Sequence, residues 1–396
     1  MEDFQEQEYE FLRKLEEEQF DRRKLLKRGL AAGAGLTVIS LSDTALAARA
    51  KALADPPLRG KDITLADLVK AAKKEGKLNV IALPHDWANY GEIISTFKKK
   101  YRLSMDEQNP DGSSAQENQA IRSLKGDPRA PDVVDVGPSF AIAGANEGLY
   151  AHYYPTNFRN VPRAMKDGRG YWTGDYWGVV SFGVNTSVVS NVPKSWADLL
   201  KPEYKNKVAL NGSPLSSGSS VAGVFSASVA NGGSLNDIGP GIDFFQKLKA
   251  AGNYIPVGAT PQTIASGQTP ITIDWDYLNL AYIKEFPSAK IQVSIPTGGV
   301  YGAYYCQAVS ATAPHPFAAR LWEEFLFSDQ GQLLWLKGYS HPALFQDLAK
   351  RKVIPAALLK ALPNPAAYAG VKFANAKQLT NAKAKIATDW PTKVGA

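Results

Sequence analysis

This chain of 396 residues is poor in the residue types that most often carry chemistry. It has one cysteine, Cys306, so no internal disulfide can form. Its setting in the apolar run AYYCQAV reads as a buried thiol rather than a reactive one. The four histidines, His85, His152, His315 and His341, are scattered and give no metal-ligand spacing. There is no C-x-x-C, H-E-x-x-H, P-loop G-x-x-x-x-G-K or G-x-S-x-G elbow, and no G-x-G-x-x-G follows a strand. These absences leave no metal, cofactor or catalytic residue to assign. No block of five or six like charges occurs, which argues against a nucleic-acid arm. No apolar run reaches the roughly 20 residues that span a bilayer.

What is present begins at residue 21 with Asp-Arg-Arg-Lys-Leu-Leu-Lys-Arg, followed by the weakly apolar GLAAGAGLTVISL. The Arg22-Arg23 pair ahead of Leu25-Leu26-Lys27 resembles a twin-arginine export signal. Ala45-Leu46-Ala47 and Ala48-Arg49-Ala50 both fit an A-x-A cleavage rule. Residues 1–50 are therefore read as a cleaved signal whose first 20 residues form an acidic, extended n-region. That order implies a soluble periplasmic product, with the twin-arginine translocase as its partner during export. Residues 1–47 hold 7 basic and 10 acidic side chains, so the remainder carries a net charge of +10. This positive charge is spread out, as on a solvated basic surface, and is also suited to steering an anionic partner.

A mature chain of roughly 345 residues points to about two domains. Helical signals cover Leu65 to Glu75 with Thr64 as cap, Gly91 to Tyr101, Ser114 to Leu124, Phe140 to Gly148, Ser216 to Ala230 and Gly241 to Ala251. The spacing also predicts one long amphipathic helix over His315 to Leu336. Strand signals lie at Leu78 to Leu83, Leu103 to Glu107, Val133 to Val136, Trp177 onward, Ile271 to Ile273 running into DWDY, Ile291 to Ile295 and Tyr304 to Val309. This alternation predicts a mostly parallel sheet covered on both faces. A second unit looks inserted, with the chain returning to the first near Tyr301.

Three stretches carry a family resemblance. They are LNVIALPHDWANYGEIISTFKKKY (78–101), VVSFGVNTSVVSNVPKSWADLLKPEYKNKVAL (179–210) and APHPFAARLWEEFLFSDQGQ (313–332). Together they resemble extracytoplasmic solute-binding proteins of ABC importers, in the branch with spermidine/putrescine-binding and ferric-iron-binding proteins. The resemblance implies an α/β, two-lobed type II periplasmic binding fold with a hinge and a ligand cleft between the lobes. Lobe 1 would take residues 55–177 and 301–345, lobe 2 residues 178–300, and residues 346–396 would form helices packed across both. It implies a monomer that hands a small solute to an ABC permease in the inner membrane. The other classes are a secreted enzyme, for which no catalytic constellation is visible, and a periplasmic sensor subunit.

Ligands of such folds sit at strand C-termini and helix N-termini. The loop with Asp86, Trp87 and Tyr90 resembles the W-x-x-Y of polyamine binders, whose aromatic faces attract cations; Trp87 is equally suited to covering a lobe edge. Ser113 and Ser114 open a helix and suit an anion or a plain cap, and Ser139 holds a matching place. Ser213 and Ser216 offer the same on the second unit. Trp275, Asp276 and Tyr277 place carboxylates beside an aromatic, for a cationic solute or an internal partner. Asp175, Trp177, Tyr304 and Tyr305 complete the candidates, at the crossover and on the return strand. Iron binders of this branch carry two adjacent tyrosines where this chain has Tyr277-Leu278, and Tyr305 replaces a carboxylate of the polyamine binders. The expected solute is polyamine-like or amino-bearing; the alternative is an anionic solute such as a phosphonate or sugar phosphate.

Overall fold

A computed structural model describes residues 56–395. The expected signal, residues 1–50, lies outside the described residues. Helix α1 (Leu65–Glu75) opens where the Thr64 hydroxyl accepts from the Asp67 N–H and closes on Gly76. Strand β1 (Lys77–Ile81) leads to α2 (Tyr90–Tyr101), whose Tyr90, Ile93, Ile94, Phe97 and Tyr101 are buried at helical spacing. Strand β2 (Ser104–Gln108) pairs with β1 in parallel. Then come α3 (Ser114–Ser123), the fully buried β3 (Val133–Val136) and α4 (Pro138–Asn146).

Strand β4 (Thr173–Asn185) is buried over all 13 residues. It is followed by β5 (Val208–Leu210), α5 (Gly218–Ala230), α6 (Gly239–Ala250), α7 (Pro261–Ser266), β6 (Ile271–Trp275), α8 (Asp276–Glu285), β7 (Ile291–Ser294) and β8 (Gly302–Val309). The chain ends in α9 (Pro316–Leu326), α10 (Asp329–Lys337), the short β9 (His341–Pro342), α11 (Phe345–Lys350), α12 (Ala356–Leu359) and α13 (Ala376–Lys393).

The sheet order β3-β8-β4-β6-β5 is organised by β4. Its first half, Thr173 to Val179, pairs with β8, and its second half, Val180 to Asn185, pairs with β6 and β7. One strand thus belongs to two packed units. Residues 186–301 leave along β4 and return along β8. The pairs β3–β8, β8–β4 and β4–β6 are therefore antiparallel, and among the described strands only the pairs β1–β2 and β5–β6 are parallel. The expectation of a mostly parallel sheet is overturned for this reason, while the mixed α/β class stands. Helix α13 lies against α4 and α6, with Trp390 on Phe245 and the Lys383 ammonium over Phe140.

One further expectation is corrected. The helix from His315 to Leu336 is two helices, because Ser328 stops the first and caps the second by accepting from the Gly331 N–H. The strand from Ile271 runs into DWDY as expected, as far as Trp275, and Asp276 begins α8. Among the described residues no helix is long and apolar enough to cross a membrane.

Candidate functional site

The ends of these elements surround a cleft of about 390 Å³. One side is formed by the β1–α2 loop with Asp86 and Trp87, the β2–α3 loop with Asp111, Ser113 and Ser114, and by Glu117 and Asp135. The other side is formed by Asn211 and Gly212 after β5, by Ser216 to Ser219 where α5 begins, by Thr260, Pro261 and Gln262, and by Tyr282. Tyr305 of β8 contributes between them. Among the described residues, no lysine, arginine or histidine lines the cleft.

The β1–α2 loop turns sharply, with Ala88 and Asn89 held at φ +45° and +68°. Such backbone is costly away from glycine and is kept only where the surroundings fix it. Here Trp87 is fixed by its neighbours. Its indole N–H donates to the Tyr176 hydroxyl at 2.8 Å, and its ring meets Tyr277 and Tyr305 edge-on. The two sides of the cleft touch at a pair of glycines. A Cβ built on Gly137, ahead of α4, would lie 3.3 Å from the Gly218 Cα at the start of α5, and the reverse distance is the same.

Beneath the cleft lies a hydrogen-bonded acidic network. Tyr90 and Tyr176 both donate to Asp135 Oδ2, at 2.7 and 3.1 Å. Glu117 Oε2 accepts the Asp135 N–H at 2.9 Å. Gln307 donates to the Tyr90 hydroxyl and to Asp175 Oδ2. Burial pushes the Asp135 carboxyl up to about 7, against the lowering effect of the two tyrosine hydrogen bonds. Burial raises Glu117 and Asp175 well above the usual carboxylate range, with the nearby Asp135 charge adding to both. Glu323 is pushed up to about 8, by burial first and by Glu324 next. At the rim, partial burial raises Asp86, and the charge of Asp111 adds to it.

Of the expected residues, the cleft gathers Asp86, Trp87, Ser113, Ser114, Ser216 and Tyr305. Nine others do not line it, and each has an internal role instead. Tyr90 and Asp175 belong to the network below. Asp276 is buried, accepting from the Val179 N–H and the Tyr368 hydroxyl, with its pKa pushed to about 6 by burial. Trp177 stacks on buried His341, whose burial lowers its pKa to about 3. Trp275 and Tyr277 stack on each other in the core. Tyr304 donates to the Ala164 carbonyl. Ser139 is buried at the start of α4, and Ser213 shapes the loop through a carbonyl that accepts from Ser216 and Ser217.

Glu117, Asp135, Tyr282 and the stretch Thr260 to Gln262 line the cleft without having been singled out. A charge inside the apolar run Val-Val-Asp-Val was the available signal for Asp135, since a buried charge needs a partner. Thr260-Pro261 was the signal for α7, a capping threonine before a proline at the first helical position. Among the described residues, no three His, Cys, Asp or Glu side chains converge as a metal cage.

A family model described as "Bacterial extracellular solute-binding protein" matches residues 129–377. No curated protein sequence matches the chain. Many solved structures share the fold. The periplasmic binding protein AfuA from Actinobacillus pleuropneumoniae, solved with fructose-6-phosphate, superposes with a TM-score of 0.64 at 19% identity, over 80% of this chain and 98% of that one. A putative spermidine/putrescine ABC transporter from Listeria monocytogenes gives 0.61 at 15% identity, over 80% and 99%. Iron-bound HitA from Pseudomonas aeruginosa gives 0.56 at 18% identity, over 78% and 99%.

Proposed function

The chain belongs to the bacterial extracellular solute-binding proteins of ABC transporters, and we propose that its solute is a small organic molecule bearing an ammonium group. One observation carries this reading. The cleft is lined by Asp86, Asp111, Glu117 and Asp135 and, among the described residues, by no basic side chain. An anionic solute would meet four carboxylates with nothing to offset them. A cationic one supplies the partner that buried carboxylates need. The faces of Trp87, Tyr282 and Tyr305 suit the alkyl part and the charge of an organic ammonium. Twin-arginine export of a monomer and handover to a membrane permease belong to the same reading, supported by Arg22-Arg23 and by the family.

A phosphonate or sugar phosphate retains one argument, the start of α5. There Ser216, Ser217, Gly218 and Ser219 all face the cleft, and helix N-termini favour anions. A thermal-shift screen with putrescine, spermidine, 4-aminobutyrate, aminophosphonates, sugar phosphates and ferric salts separates the two. A ligand that binds only the folded state raises the melting temperature. Stabilisation by amines supports the proposal, and stabilisation by sugar phosphates alone overturns it.

A further inference from the structure

The acidic network under the cleft is built with one acceptor left open. Asp135 is 5% exposed, and its Oδ2 takes both tyrosine hydroxyls while Oδ1 has no hydrogen-bond partner. Leaving such an oxygen unpaired in a native core is costly, more so when the group is charged. Yet Asp135 and Glu117 both contribute to the cleft wall, so this buried, unsatisfied oxygen lies just behind the surface that a solute would meet.

Every other feature of the network holds Asp135 in place. Tyr90 reaches it from α2 and Tyr176 from β4, and Tyr176 is itself stacked between Trp335 and Tyr305. Trp87, on the cleft loop, donates to the same Tyr176 hydroxyl. A solute contact at Trp87 is thus two hydrogen bonds from Asp135. The titratable groups acting on or beside Asp135 are Tyr90 of α2, Glu117 of α3, and Asp175 and Tyr176 of β4. Tyr277 of α8, Tyr305 and Cys306 of β8 and Glu323 of α9 complete the set. None is a cation. Arg320 acts on Glu323 rather than on Asp135.

Resting on the reading above, we infer that the ammonium of the solute seats on Asp135 Oδ1 beside Glu117, and that its arrival expels a proton held by this carboxylate pair. The balance is simple. An ammonium enters with its charge unchanged, Asp135 goes from carboxylic acid to carboxylate, and that proton leaves to the buffer. Two buried carboxylates joined through one peptide N–H cannot both ionise cheaply without a cation nearby. The direction of both pKa values agrees, because burial pushes Asp135 up to about 7 and raises Glu117 well above the usual carboxylate range. Solute capture then strengthens as pH rises from 6 to 8, because less proton has to be displaced.

The test is calorimetric titration of the full chain with putrescine, and in parallel with 4-aminobutyrate, at pH 7 in phosphate and in Tris. The two buffers differ in ionisation enthalpy, so the difference in heat counts the protons released. The expected result is between about half and one proton per site, with affinity reduced roughly 100-fold, about 2.7 kcal/mol, in Asp135→Asn. Glu117→Gln is the second variant, expected to bind with a smaller proton count. The wild-type count itself needs no variant to fold. Zero proton release, together with full affinity in Asp135→Asn and loss of affinity in Asp86→Asn, overturns the inference and moves the charge to the cleft mouth, leaving the ammonium reading intact. No binding of either amine to the wild type overturns both.

Discussion

On the side of β3 and α3 the cleft presents Asp86, Asp111, Glu117 and Asp135; on the side of β5 and α5 it presents Asn211, three serines and two glycines, and, among the described residues, no charge. The acidic side is anchored far from the opening. Its Asp135 carboxylate accepts from Tyr90 and Tyr176, and Gln307 donates in turn to the Tyr90 hydroxyl, so three other elements hold it. The serine side is held locally, by bonds within the loop such as Ser220 Oγ to the Asn211 and Gly212 carbonyls and Ser217 Oγ with Ser219 Oγ. Its one carboxylate, Asp274, sits behind Asn211, which donates to it at 2.5 Å, and burial pushes Asp274 up to about 7. The difference teaches a division of labour. One side supplies a fixed charge to be neutralised, and the other supplies a surface that can close over whatever lies there.

The comparison breaks most sharply at residues that look like part of the cleft and are not. Asp276→Ala removes the acceptor of both the Val179 N–H and the Tyr368 hydroxyl. It is expected to cost about 2–4 kcal/mol of stability, at the level of buried hydrogen bonds to charged groups, while putrescine affinity at a temperature where the variant is folded stays within threefold. Chemical denaturation and calorimetry check both halves. Gly218→Val comes next. Its side chain meets the Gly137 backbone across the cleft, so closure is hindered and affinity falls roughly 30-fold, about 2 kcal/mol, with the far-ultraviolet spectrum unchanged. Trp87→Ala removes an aromatic face and the donor to Tyr176, and the expected loss is roughly tenfold, about 1.4 kcal/mol. On the uncharged side, Ser217→Ala loses the cap of α5 and costs about 1 kcal/mol of stability, with only a small change in affinity. If Ser217→Ala weakened binding more than Trp87→Ala, the roles of the two sides would be reversed.

The pH dependence sharpens the same contrast. Asp135 and Asp274 at about 7, Glu323 at about 8 and Asp276 at about 6 all lie above unfolded carboxylates near 4. The folded state therefore holds protons that the unfolded state has released, and stability from these groups falls as pH rises through 6 to 8. The ligand-free protein is expected to melt lower at pH 8 than at pH 5.5. Saturating putrescine should narrow that gap, because it supplies the missing positive charge at Asp135.

Much of this molecule was legible locally. Thr64 and the amphipathic spacing place α1, and the W-A-N-Y loop falls where the cleft is. Elements that depend on distant partners were not legible in the same way. Pro316 to Lys337 has continuous helical spacing, and only the Ser328 hydroxyl turning to the Gly331 N–H divides it. The direction of β8 is set by the length of chain inserted after β4, which strand periodicity does not report. The site divides similarly. Its loops were found because serines before helices and clustered aromatics are local signals. Asp135 was missed because its partners, Tyr90, Glu117 and Tyr176, lie 18 to 45 residues away. Asp276 was read both as a solute contact and as internally partnered because the same DWDY string fits either, and the structure shows its internal bonds to the Val179 N–H and the Tyr368 hydroxyl.

The central claim is that positive charge is what the cleft recognises. Calorimetric titration with putrescine and with its diacetylated form, which keeps the carbon chain and removes both ammonium groups, tests it directly. The account predicts that putrescine binds and that diacetylation weakens binding at least ~100-fold, about 2.7 kcal/mol. Equal affinity for the two, or tighter binding of the neutral form, would contradict it.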